Sequence, residues 1–168
     1  LSPCGGAALL VAEEYEKVKP LCNHVWRLDL KSGAMERLSE GLEYSFKTAG
    51  WSGGRVIVLA SDMKRYGMNE NALVFELKDK KLTCLTPDLD TSFHNSMVGD
   101  CRYGVETQYG LIDGDGLYYI STQGTSSQIH FNDLNGHDRS LTPGLLSADC
   151  FDVRGGRVLA VGFRGLQL

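Results

Sequence analysis

Gly50-Trp51-Ser52-Gly53-Gly54 has the Gly-x-Ser-x-Gly spacing of a serine hydrolase nucleophile elbow. Such an elbow needs a strand before the Ser and a helix after it, so that backbone N–H groups stabilise the developing oxyanion. Here Gly-Gly runs into Val56-Ile57-Val58-Leu59, a β-branched strand pattern, and Ser52 reads as a turn residue. Asp113-Gly114-Asp115-Gly116 offers acids and glycines in the manner of a Ca²⁺ loop or a nucleotide loop. An EF-hand opening at Asp113 needs Gly where Tyr118 stands and an acid where Gly124 stands. A dinucleotide fingerprint needs Gly at Tyr119 and a helix where Leu117-Tyr118-Tyr119-Ile120 reads as strand. The expected structure is a tight hairpin with Gly supplying positive φ.

The remaining chemistry-bearing residues are dispersed. Of the four histidines, His24 and His130 fall at or in predicted strands, His94 in a polar stretch and His137 in a turn. None has metal-ligand spacing, and each reads as a surface or hydrogen-bonded core histidine. Cys4, Cys22, Cys84, Cys101 and Cys150 stand singly, with no Cys-x-x-Cys, and are expected to be small buried thiols in a reducing cytoplasm, the alternative being a disulfide pair in an exported protein. Trp26, Trp51, Tyr118 and Tyr119 are expected to fill spaces between sheets. No catalytic residue, metal or cofactor is expected on this chain.

What positions these residues is a repeat. Trp51-Ser52-Gly53-Gly54-Arg55-Val56-Ile57-Val58-Leu59-Ala60 returns as Asp152-Val153-Arg154-Gly155-Gly156-Arg157-Val158-Leu159-Ala160-Val161, with a weaker copy at Asp113 to Ile120. A second cassette keeps its order three times. Leu28 to Gly33 leads to Leu38-Ser39, Phe75 to Lys80 to Leu85-Thr86, and Asn132 to Gly136 to Leu141-Thr142. Each is a strand, a polar turn and a strand closing on Leu-Ser or Leu-Thr.

Together the cassettes define a four-strand unit, clearest at Tyr44 to Gly50, Arg55 to Ser61, Asn71 to Lys78 and Lys81 to Thr86. The next unit runs through Ser96 to Ile112, Gly116 to Thr122, Gln128 to Leu134 and His137 to Thr142. Another begins at Ala148 to Val153 and Val158 to Phe163, and the first shows its second strand at Ala7 to Ala12. A period of about 40 to 60 residues with units of this kind predicts an all-β fold, a partial β-propeller of about three and a half four-stranded antiparallel blades. Residues 1–168 are expected to be a segment of one propeller domain whose ends fall inside blades. A counter-reading is an open ring that completes itself by pairing between chains, a homo-oligomer.

Composition excludes more than it assigns. Hydrophobic residues make up 42%, enough for a core, and the formal charge of -4 comes without a basic cluster, so nucleic acid is not an expected partner. No run approaches the roughly 18 apolar residues of a membrane helix.

Val25-Trp26-Arg27-Leu28-Asp29-Leu30-Lys31-Ser32-Gly33-Ala34-Met35-Glu36-Arg37-Leu38, Leu141-Thr142-Pro143-Gly144 and Ser147 to Val153 before the second Gly-Gly carry a resemblance. They resemble the propeller domain of prolyl oligopeptidase family serine peptidases, in the acylaminoacyl-peptidase and dipeptidyl-peptidase-like branch. Periplasmic propellers of the Tol system use similar strand-turn phrases. The family resemblance implies a propeller that gates an α/β-hydrolase domain of the same parent chain, the domain that carries the Ser, Asp and His triad and is not present here. It implies short peptide substrates, and a passage that polar residues on opening strands, such as Lys47, Asp149 and Asp152, would line. The alternative function is a β-propeller protein-interaction scaffold without enzymatic activity, since fold alone does not assign function. Replacing Ser52 by Ala is expected to leave any hydrolytic activity of the parent protein unchanged, and an inactive S52A enzyme would refute the reading of Ser52 as a turn residue.

Overall fold

A computed structural model describes residues 1–18, 20–62, 73–96, 109–114, 116–144 and 147–164. The described residues are strands, turns and loops, and no helix among them is long and apolar enough to cross a membrane. The chain divides into two compact units, Leu1–Leu89 and Asp90–Leu168.

The first unit holds two antiparallel sheets. One is β1 (Ala7–Ala12), β2 (His24–Asp29) and β3 (Met35–Arg37), paired in that order. The other is β4 (Tyr44–Ser52), β5 (Arg55–Asp62), β6 (Leu73–Lys78) and β7 (Lys81–Cys84), also in order, which is the four-strand unit expected from the repeat. Asn71, where the third strand was expected to begin, lies outside the described residues. Gly53 and Gly54 both take positive φ, 52° and 83°, as a two-residue turn matched to strand twist requires. The turn between β6 and β7 does the same with Asp79 and Lys80, at 49° and 58°, a conformation that side chains other than Gly adopt at a cost.

Central position explains the apolar run of β5. Between β4 and β6, Ile57, Val58, Leu59 and Ala60 are all buried, and each of the larger aliphatic side chains contributes about 1.5–3 kcal/mol by leaving water. Val25 of the first sheet meets Phe46, Val58, Ala60, Phe75 and Leu77 of the second in one core.

The second unit is built on β8 (Leu111–Asp113), β9 (Gly116–Gln123), β10 (Ser126–Asn132), β11 (Asp138–Ser140), β12 (Ser147–Arg154) and β13 (Arg157–Phe163). Strands β8 to β11 pair consecutively. Most of the expected strand from Ser96 to Ile112 lies outside the described residues, its end being β8. The expectation that a separate sheet opens at Ala148 is modified here. Strand β11 covers only His130 to Asn132 of the outer edge of β10, and β12 meets the uncovered end of that edge through one parallel pair, Ser127 with Ser147. Strand β13 repeats β5 in sequence but pairs only with β12 among the described residues, and Leu159 is 74% exposed where its counterpart Ile57 is 0%.

The Leu-Ser and Leu-Thr closings have a common structural role. In each copy the Leu N–H donates to the carbonyl of a buried residue on the third strand of the unit: Leu38 to Val25, Leu85 to Val74 and Leu141 to Ile129, at 2.9, 2.8 and 2.7 Å. The N–H of that same buried residue donates to the following hydroxyl: Val25 to Ser39, Val74 to Thr86 and Ile129 to Thr142, at 3.0, 3.0 and 2.9 Å. The outer strands therefore stop before these dipeptides, at Arg37, Cys84 and Ser140, because a side-chain oxygen replaces the next backbone acceptor. Val25, Val74 and Ile129 are 0% exposed, so without the hydroxyl each N–H is orphaned.

Replacing Thr86 by Val keeps its shape and removes the acceptor. T86V is expected to lower unfolding free energy by about 1–3 kcal/mol in urea titrations, more than Thr83→Val on the exposed face of β7, and equal effects would argue against this role for the hydroxyl.

Candidate functional site

Two opening strands carry the same irregularity at the same repeat position. The ladder between β4 and β5 shifts register between Phe46 and Thr48, skipping Lys47, and the ladder between β12 and β13 shifts between Ala148 and Cys150, skipping Asp149. A bulge bends its strand and re-aims the extra residue. The residue before each bulge is held by an asparagine side chain. Asn23 Nδ2 donates to the Phe46 carbonyl at 2.9 Å while the Phe46 N–H donates back to Asn23 Oδ1 at 2.6 Å. Asn95 Nδ2 donates to the Ala148 carbonyl at 2.9 Å, and Ser127 Oγ donates to Asn95 Oδ1 at 2.9 Å.

The sequence singled out Lys47 and Asp149 as charged residues on opening strands, and both prove to be the bulged residues. Each is half-buried. Asp149 Oδ1 accepts from Ser147 Oγ at 3.4 Å, while Oδ2 is shielded from solvent without a hydrogen-bond partner among the described residues. Asp152 differs from them. It is exposed, sits in regular register opposite Leu159, and its Oδ1 accepts from the Val153 N–H at 2.9 Å.

The two decoys are structural. Ser52 is buried at the end of β4, and the Gly53-Gly54 turn after it leads into a strand. Asp113 Oδ2 accepts from the Gly156 N–H at 2.9 Å, so one hairpin turn braces another; Asp115 lies outside the described residues. The expectation of buried cysteines is corrected. Cys4 is exposed, Cys22, Cys84 and Cys150 are half-buried, and Cys101 lies outside the described residues. Cys84 belongs to the last strand of its sheet.

Sequence spacing did not reveal a hydrogen-bonded group in the second unit. Tyr119 Oη donates to Asp138 Oδ1 at 2.7 Å, and His130 Nδ1 donates to Asp138 Oδ2 at 2.8 Å. Phe93 packs on the Tyr119 ring with centroids 4.6 Å apart. Burial first, then the bond to Asp138 and its charge, push the Tyr119 hydroxyl well above its ordinary range. Burial alone would raise the Asp138 carboxyl; the bonds from His130 and Tyr119 outweigh it and hold it below the usual value. Register was the available signal. Tyr119 faces His130 across β9 and β10, and Asp138 lies two residues from Ser140, which faces His130 across β10 and β11.

His24 is held differently. Arg37 can only donate, so His24 Nε2 accepts from it, placing the proton on Nδ1, which donates to Ser39 Oγ at 3.3 Å. Burial, then the charge of Arg37, lower the His24 pKa and favour this neutral form.

No known protein family matches the chain by sequence, and neither does a curated protein. Among solved structures it is similar to the acylaminoacyl peptidase of Pyrococcus horikoshii. The TM-score is 0.63 at 16% identity, over 94% of this chain and 22% of that one. Nearly all of the chain shares its fold with part of that peptidase. It spans about 22% of the peptidase's length.

Asp138 contributes stability that is present above the ordinary carboxyl value of 3.8 and lost as pH falls through its lower folded value. Thermal melts between pH 5 and pH 2 are expected to show a shallower acid loss in Asp138→Asn than in the wild type. Parallel curves would exclude this contribution.

Proposed function

We propose that this chain is a noncatalytic, substrate-gating β-propeller segment of a serine peptidase that cleaves short peptides, of the acylaminoacyl-peptidase or dipeptidyl-peptidase-like kind. The observation that carries the reading is the fold shared along 94% of the chain with the Pyrococcus horikoshii acylaminoacyl peptidase. The repeated four-strand meander supports it, because consecutive small sheets stacked on shared apolar faces are the elements of a propeller blade array. In this reading β1–β3, β4–β7, β8–β11 and β12–β13 belong to successive blades, the last two joined through Ser127 and Ser147, and the partner is an α/β-hydrolase domain of the same parent chain in the cytoplasm.

In a propeller the opening strand of each blade faces the central passage. In this reading each bulge, that of β4 at Lys47 and that of β12 at Asp149, lies on the opening strand of its blade and turns a charge toward an entering peptide. Asn23 and Asn95 fix the backbone one residue earlier, so the charges are held on rigid strands. Gating itself is physical. A narrow ring admits extended peptides and excludes folded proteins, and hinge motion against the hydrolase domain sets the rate of entry.

The test is to express the protein from its complete reading frame and assay acyl-peptide, aminopeptidase and endopeptidase substrates with and without a serine-reactive inhibitor. Inhibitor-sensitive cleavage of short peptides is expected, with residues 1–168 alone inactive. Absent or inhibitor-insensitive cleavage would overturn the peptidase reading in favour of a binding scaffold.

A further inference from the structure

Within the first unit, a groove of about 660 Å³ lies between the β2–β3 hairpin and the turn ends of the second sheet. Its apolar wall is Leu38, Trp51, Val56 and Leu77. Its lining charges are Arg27, Arg37 and Lys80 against Glu36 and Asp79, with Glu14 and Glu40 standing beside Arg37 and Lys80. The volume is in the range of small-ligand sites, which are commonly apolar with a few polar groups.

Two observations on donors single this groove out. Only three side-chain nitrogen or oxygen atoms among the described residues are buried without a hydrogen-bond partner, and two of them, Arg37 Nε and Trp51 Nε1, belong to residues of the groove. Both are obligate donors, so the partner that each lacks is an acceptor. The guanidinium is otherwise engaged: Nη2 meets His24 Nε2, Nη1 lies 4.0 Å from Glu14 Oε2, and the group stacks over the Trp26 ring at 5.7 Å. The other cations are held by exposed carboxylates that solvent screens, Arg27 by Glu36 at 3.6 Å and Lys80 by Glu40. Such pairs exchange readily for a better-placed anion.

We propose that this groove binds a ligand bearing one carboxylate next to an apolar side chain, with the carboxylate toward Arg37 and the Trp51 indole N–H and the apolar group against Leu38, Val56 and Leu77. Binding includes a small rotation of the indole or guanidinium that brings its N–H to the groove surface. A carboxylate brings one negative charge past Glu36 and Asp79, whereas a phosphate dianion would bring two. The site goes beyond the gating role, since it needs no hydrolase domain and no central passage.

The test uses the full chain, ¹⁵N-labelled, and follows its two tryptophan indole resonances during titration with N-acetyl-L-leucine. Trp26→Phe assigns the pair. The expected result is a saturable shift of the Trp51 indole N–H, no shift with N-acetyl-L-leucinamide at the same concentrations, and roughly tenfold weaker binding to Arg37→Gln. No shift, an equal shift with the amide, or an equal shift with inorganic phosphate would each overturn the proposal. If Arg37→Gln does not fold, the comparison of acid with amide on the wild-type chain still decides it.

Discussion

A buried backbone N–H on the third strand of each unit has no strand partner, and the structure depends on a hydroxyl supplying one. Ser39, Thr86 and Thr142 do this for Val25, Val74 and Ile129, in every case beside a leucine whose own N–H returns to the same residue. The constraint is electrostatic. A peptide group removed from water has to be paired, and the outer strand is too short to pair it with backbone alone. Satisfying it lets the third strand present an apolar side chain inward at the point where the hairpin ends. Val25 and Val74 are wholly buried for that reason.

The same economy of side-chain hydrogen bonds fixes the opening strands. A bulge interrupts the ladder at Lys47 and Asp149, and asparagines from outside the strand hold the backbone beside it. Asn95 belongs to a wider set of short polar side chains. Ser92 Oγ accepts from the Thr122 N–H at 2.9 Å, and Thr122 Oγ1 accepts from the Ser96 N–H at 2.9 Å, which ties the segment preceding the sheet to β9. Such networks work only when each member is satisfied, and here they set backbone positions that packing alone would leave loose.

Hydrogen-bonded ionisable groups follow a related logic. Asp138 lies on an exposed strand with its side chain partly shielded, two donors keep it charged, and the cost of burial falls instead on the Tyr119 proton, which is held. His24 resolves the opposite conflict by staying neutral beside Arg37. At half-buried Asp133 the bond from His137, then that from the Asn135 N–H, outweigh desolvation and bring the carboxyl down to about 2. Hydrogen-bond geometry sets the charge state in each of these places.

The sequence by itself determined the strand order, the two-residue Gly-Gly turns and the four-strand unit at Tyr44 to Thr86, because alternation and turn chemistry are local and repetition checks one copy against another. It also placed Lys47 and Asp149 on opening strands and removed Ser52 from candidacy, since a β-branched run cannot follow a nucleophile elbow as a helix. Only the tertiary structure decided that those two residues are bulged, that Leu-Ser and Leu-Thr are capping pairs, and that Tyr119, His130 and Asp138 meet. Each of these rests on hydrogen bonds between strands, and the spacing of residues along one strand does not encode the register of its neighbour. The pairing of β12 with β10 through Ser127 and Ser147 came from the same source: a partly covered edge is a property of the assembled sheet.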